Sequence, residues 1–178
     1  MILINKTFKI IFSFILLNTL LLSENNQSDT NFEVEVGIES ITCIDNKYNI
    51  SVYIINPYDA IAGIQFKINP SDIFNIEEVY GGRSEDAGFQ IHKNKKGTIL
   101  GFSLKGETIK PSMVTTGPKK LKDNIVINIT ASSDKIPIDK QLEMDCVMAS
   151  KGGKSLSTQF IPFDLSQIVY LEKKLNII

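Results

Sequence analysis

The chain predicts an all-β fold: an antiparallel two-sheet β-sandwich or jelly roll of about nine strands. Apolar and polar residues alternate with a period of two along several segments, as in strands that bury one face. Turn residues interrupt these segments roughly every 8–12 residues, the spacing of sandwich strands. After the N-terminal apolar segment, only one stretch near the C-terminus offers a helical reading.

Phe32, Val34, Val36 and Ile38 alternate with Glu33, Glu35, Gly37 and Glu39, which predicts a first strand. Ile41 and Cys43 then fall on the opposite parity, and a bulge near Glu39-Ser40 absorbs the shift. Asp45-Asn46-Lys47 makes a turn. Tyr48, Ile50, Val52 and Ile54 resume the alternation and leave Asn49 and Ser51 on the wet face. After a turn at Asn56-Pro57-Tyr58-Asp59, Ala60, Ala62, Ile64, Phe66 and Ile68 line the inward face of a third strand, closed by Asn69-Pro70-Ser71-Asp72. Shorter strands follow over 73–79, 87–92, 98–104, 124–131, 141–149 and 156–160, with a hairpin turn at 94–97. Leu142, Met144, Cys146 and Met148 share an inward face. At the C-terminus Asp164 could cap a short helix with Gln167, burying Leu165, Ile168, Val169 and Leu175; the other reading is a final strand through 168–171.

Residues 1–23 read as a secretory signal peptide. Lys6 and Lys9 precede the thirteen nearly unbroken apolar residues Ile10 to Leu22, whereas a membrane span needs about 20. Ser23 suits the last position before cleavage and Leu21 does not suit its own, so an uncleaved signal anchor stays open as the second reading. Cleavage leaves about 155 residues, one domain's worth: a flexible mature N-terminus over 24–31 and the sandwich over 32–178. No later segment is long and apolar enough to predict a stable membrane span. The protein is expected to be secreted, extracellular or surface-associated.

The net charge is −1, and Arg83 is the one arginine among nineteen basic residues. Arginine is preferred for bidentate phosphate and base contacts, so nucleic acid is not expected as a partner. The lysine clusters at 93–96 and 119–122 sit beside turn residues and read as solvated turn tips. Cys43 and Cys146 both point inward by parity, and an even count in an oxidising compartment predicts one disulfide; two free buried thiols are the other reading. Three sequons make Asn26, Asn49 and Asn128 acceptors if the host glycosylates exported proteins.

Converging chemistry is scarce. His92 is the only histidine and reads as a solvent-facing strand end, so a two-histidine zinc site is not possible. Neither a GxSxG elbow nor a Walker-type loop occurs. Glu77-Glu78 and Glu85-Asp86 are sequence neighbours, which point apart in an extended chain and do not form a facing glycosidase pair. No catalytic residue, metal ligand or cofactor is expected.

The stretch GGRSEDAGF (81–89) lacks the following helix of a dinucleotide fingerprint and the ligand spacing of an EF-hand. It reads as a strand-to-strand loop with Arg83, Glu85 and Asp86 on the rim. Loops carried by rigid scaffolds often hold recognition residues, so these three are the candidate contact surface.

The run VEVGIESITCIDNKYNISVYIINPYDAIAGIQFKI resembles the opening of cohesin-like domains, with Ala62-Gly63-Ile64-Gln65-Phe66 matching their "AGFQF"-like third strand. IFNIEEVYGG, the Thr98–Leu104 run and the strand at 125–130 keep the family's order over roughly residues 33–150. The "GG…EDAGF" loop and the following "T-x-LGFS" strand also resemble a set of small secreted proteins of unassigned role. The resemblance implies a nine-stranded jelly roll related to carbohydrate-binding modules and a protein partner bound on one sheet face. The cysteine pair is not part of the usual cohesin pattern, and no dockerin-binding position carries over. Fold alone does not license function. The expectation is a non-catalytic module for protein–protein recognition or adhesion. Carbohydrate binding is the alternative, with Tyr53, Tyr58 and Tyr80 as candidate rings and only Tyr53 outward by parity. A self-associating coat component is the third reading.

Overall fold

The computed structural model describes residues 32–94 and 97–172. The signal segment 1–23, the stretch 24–31 with Asn26, the turn residues Lys95 and Lys96, and Leu175 lie outside the described residues.

The first half comprises β1 (Val34–Ile44), β2 (Lys47–Ile55), β3 (Ile61–Asn69), β4 (Asn75–Tyr80), the short helix α1 (Gly82–Asp86), β5 (Gln90–Lys93) and β6 (Thr98–Phe102). The second half comprises β7 (Ile125–Ser132), β8 (Gln141–Ser150), β9 (Ser155–Leu156), β10 (Thr158–Ile161), β11 (Phe163–Asp164) and β12 (Val169–Tyr170). Nine of these strands have four residues or more, and β9, β11 and β12 have two each. One sheet has the order β10-β1-β2-β7-β4, with β12 also on β1. The other has the order β11-β8-β3-β6-β5, with β9 also on β8.

The period-two pattern places the core between the sheets. Ile41, Ile50, Ile54, Ile127 and Ile129 of the first sheet meet Ile61, Ile64, Phe66, Ile99, Leu142 and Met148 of the second, all of them buried. The expected bulge is present: the β1–β2 register shifts between Ile38 and Ser40, so both halves of β1 keep their apolar residues inward. Asp45 and Asn46 take positive φ values of 51° and 61°, a turn whose twist suits a tight hairpin and which short polar side chains tolerate. Gly101 has a packing reason: a Cβ there would sit 2.6 Å from Ile91 Cδ1 and 2.8 Å from Ile64 Cγ1.

Four features depart from the sequence reading. The strand expected from residue 87 begins at Gln90, because the preceding loop winds into α1. The expected C-terminal helix is a single 3-10 turn, Leu165–Gln167, capped by Asp164 accepting from Ser166 N at 2.9 Å; the chain then continues as β12. Thus each of the two alternatives holds in part. β1 takes parallel neighbours, β10 and β12, within an otherwise antiparallel architecture. Finally, the strand expected over 98–104 ends at Phe102, and the passage after it is joined to β3 by the bridge of Ile61 with Ile109 and to the end of β2 by Ser112 N donating to Asn56 O.

Phe66 is fully buried at the centre of β3. Phe66→Ala is expected to cost about 3–5 kcal/mol through lost burial and the cavity left behind. Urea unfolding followed by the strand signal in circular dichroism measures it.

Candidate functional site

Arg83 is half-buried and reaches from a surface cleft to the end of β2. Gly81 and Gly82 enter α1 with φ of 69° and 65°, and a Cβ on Gly82 would lie 2.6 Å from the Val126 carbonyl. This close approach turns Arg83 toward the end of β2. One guanidinium nitrogen donates to Ile54 O (2.9 Å), Ser112 Oγ (3.1 Å) and Asn124 Oδ1 (3.1 Å). The other donates to Asn56 Oδ1 (3.0 Å) and to Lys110 O. All five acceptors are neutral. Asn56, Ser112 and Asn124 are buried, and Asn124 Nδ2 in turn donates to Val114 O (2.6 Å) and Lys120 O (2.8 Å). Burial draws the Arg83 pKa below its ordinary value, yet a guanidinium stays charged throughout the accessible range.

Glu85 and Asp86 are exposed and make no hydrogen bond to this cluster among those described. Asp86 lines a cleft between α1 and Thr108–Lys110 together with Arg83, while Glu85 faces Tyr80 and Ile91 on the other side. Of the three candidate loop residues, Arg83 and Asp86 thus share one cleft and Glu85 lies on the other side of α1. Charged groups in sequence favour a rim reading; the buried neutral acceptors that receive Arg83 lie 27 to 41 positions away and leave no local signal.

Tyr53 is outward by parity but only 4% exposed. Its ring lies across Gly37, where an added Cβ would be 2.6 Å from the phenol oxygen, and its hydroxyl donates to Glu35 Oε1 at 3.1 Å. Lys120 holds the same carboxylate at 3.1 Å. Desolvation, with Glu35 alongside, raises the phenol pKa. Tyr53 is thus a packing residue, not an exposed ring for a ligand.

The expected disulfide is absent, and both cysteines are free. Cys43 lies on β1 between Tyr48 of β2 and Tyr170 of β12, whereas Cys146 lies on β8 opposite Phe66 in the other sheet. Parity placed both side chains on inward faces but could not reveal that their strands belong to different sheets. Burial pushes the Cys146 thiol up to about 12.

Asn49 and Asn128 lie on the outer face of the first sheet, half-buried on adjacent strands. Thr130 Oγ1 donates to Asn49 Oδ1 at 3.2 Å, and Ser51 Oγ donates to Asn128 Oδ1 at 2.9 Å.

The outer face of the second sheet has a different character. Cross-strand register sets His92, Leu100, Gln65 and Val147 in one row across β5, β6, β3 and β8. Leu100 is 42% exposed and Val147 53%, with exposed Gln65 between them. A second row holds Gln90, Phe102, Gly63 and Ala149, and Phe102 stacks on His92 at 5.9 Å between ring centroids. A third holds Thr98, Lys67 and Asp145. Gly63 and Ala149 keep the middle of the surface low. The result is a face on which two exposed aliphatic side chains flank a central Gln65, with polar groups at its ends, a mixture that suits a recognition patch. The sequence reading missed it, although the parity of β3, β6 and β8 already placed these residues outward.

Replacing Arg83 by Ala is expected to cost roughly 2–4 kcal/mol, because it leaves several buried acceptors unpaired. Glu85→Ala with Asp86→Ala should stay within about 0.5 kcal/mol of the parent; chemical denaturation compares the two. Thiol titration after unfolding without reductant should find both cysteines free. The unfolded chain loses the Cys146 proton at an ordinary pKa of 9.0, well before the folded chain does. The stability associated with that thiol is therefore whole below about pH 9 and is lost as pH rises toward 12. A flatter pH profile for Cys146→Ala would reveal it.

No protein-family model matches the chain, and no curated protein matches it. Solved structures do. A type I cohesin–dockerin complex from Clostridium thermocellum matches with a TM-score of 0.53 and 13% identity, covering 80% of this chain and 96% of that one. The third ScaB cohesin of R. flavefaciens, in complex with a group 1 dockerin, gives 0.52 and 15% over 81% and 99%. The seventh ScaB type I cohesin from Pseudobacteroides cellulosolvens gives 0.51 and 14% over 80% and 95%. In fold, this chain is a cohesin-like β-sandwich.

Proposed function

We propose that this protein is a secreted, non-catalytic binding module that recognises a protein partner through the outer face of the sheet β11-β8-β3-β6-β5. The observation that carries this is the row His92–Leu100–Gln65–Val147, which holds two exposed aliphatic side chains on regular strands with polar groups at their margin. Rigid strands present such side chains with little entropy left to lose on binding. The similar cohesins solved with dockerins support a protein as the partner class. Adhesion at a cell or matrix surface is the setting that fits an N-terminal signal segment.

A carbohydrate surface is less well supported. It needs a planar strip of rings, yet Tyr53 is buried, and the exposed Tyr58 and Tyr80 sit on a turn and at the end of β4. Assembly through a free sheet edge is also less well supported. β5 has only four residues, and Lys93 at its end donates to Ile76 O of β4 at 2.8 Å.

The test is calorimetric titration of the full chain against a panel of dockerin modules, in parallel with a glycan array. Saturable binding to a protein is expected, with no glycan signal. Leu100→Asp with Val147→Asp should weaken that binding by about 30-fold or more while leaving the fold intact, as for two central interface residues. Glycan binding unaffected by the two substitutions would overturn the proposal.

A further inference from the structure

Asn49-Ile50-Ser51 on β2 and Asn128-Ile129-Thr130 on β7 are paired antiparallel, with Asn49 opposite Thr130 and Ser51 opposite Asn128. Because a strand repeats every two residues, the asparagine and hydroxyl of each sequon lie on one face. In this register each sequon meets the other in reverse. Thr130 donates its hydroxyl to the Asn49 amide oxygen at 3.2 Å, and Ser51 donates to the Asn128 amide oxygen at 2.9 Å. The Asn128 amide nitrogen lies 3.1 Å from where a Cβ on Gly81 would sit, so it packs against the turn into α1. β2 and β7 are interior strands of their sheet, flanked by β1 and β4. Thr42 and Ser40 lie beside Asn49 and Ser51, and Glu78 and Tyr80 beside Thr130 and Asn128.

We propose that Asn49 and Asn128 are acceptors for N-linked oligosaccharide only in chains whose β2 and β7 have not yet paired, and that pairing closes both sites at once. In the transfer, the asparagine Nδ2 attacks C1 of a lipid-linked oligosaccharide. The Nδ2–C1 bond forms, the C1–O bond to the lipid pyrophosphate breaks, the pyrophosphate leaves with the electron pair, and the amide gives up one proton, which balances the charge of the departing pyrophosphate. The enzyme must receive the asparagine amide together with the hydroxyl two residues on. In the folded domain the amide oxygen and the hydroxyl of each sequon are engaged by the other sequon and the backbone of both is held in interior strands, so a sequon can bend into the enzyme only when β2 and β7 come apart.

The experiment uses the full chain carrying Asn26→Gln, so that occupancy reports the two strand positions alone. Folded and denaturant-unfolded protein are each incubated with purified oligosaccharyltransferase and lipid-linked oligosaccharide, and occupancy is read by peptide mass spectrometry. The unfolded chain is expected to be modified at both residues, and the folded chain roughly tenfold less or below detection, as for groups reached only through sheet opening. Asn128→Ala leaves the Asn49 sequon complete but removes the acceptor of Ser51; its folded form should gain occupancy at Asn49. If circular dichroism shows that this variant does not fold, Asn49→Ala makes the same comparison at Asn128 through the freed Thr130. Equal modification of folded and unfolded chains overturns the proposal, as does equal lack of it. So does a folded variant that is modified no more than its parent.

Discussion

A half-buried guanidinium set among neutral oxygens needs partners for the donors it takes out of water, because in a low-dielectric setting an unmet polar group costs more than it would in water. With its two terminal nitrogens Arg83 gathers three stretches far apart in sequence: the end of β2 at residues 54–56, the segment 110–112, and Asn124 ahead of β7. The long passage from β6 to β7 has no ladder of its own to satisfy its backbone. The arginine fork and the amides of Asn56 and Asn124 supply partners in its place. Charge-assisted bonds are stronger than neutral ones, so the single arginine orders more chain than its one position suggests.

The same problem of unmet backbone groups is solved differently at the other side of the sandwich. From β9 onward the chain crosses between sheets at each step. β9 joins β8 in the second sheet, β10 joins β1 in the first, β11 returns to β8, and β12 returns to β1. These short pieces cover the two long strands that would otherwise be free edges. The crossing also sets the direction of β10 and β12 relative to β1, which is why β1 has parallel neighbours.

Because the interior is filled by both inner faces, the two outer faces are left to differ. The first carries hydroxyls and amides in mutual hydrogen bonds, with Tyr53 laid flat over Gly37. The second carries Leu100 and Val147 in the open, with small residues beside them. Both are regular strand surfaces, and the difference lies in whether the outward side chains satisfy one another or remain available to a partner.

By itself, the sequence determined whatever depends on near neighbours. Period-two alternation specified the strands and their inward faces, the parity change at Glu39-Ser40 specified the bulge, and Asp45-Asn46 specified the first turn. The cohesin-like order of elements was legible because it rests on runs of ten residues or so. Only the tertiary structure decided which strand joins which sheet, since strand pairing is non-local and parity carries no information about it. Cys43 and Cys146 therefore looked like partners and are divided between sheets. Arg83 looked like a free rim charge and is half-buried, held by acceptors tens of residues away. Tyr53 looked like an exposed ring and is covered because a glycine lies opposite on β1. The site residues that a strand's own pattern could have revealed, Leu100 and Val147, stood on outward positions all along; their meeting in one row awaited the register of β6, β3 and β8.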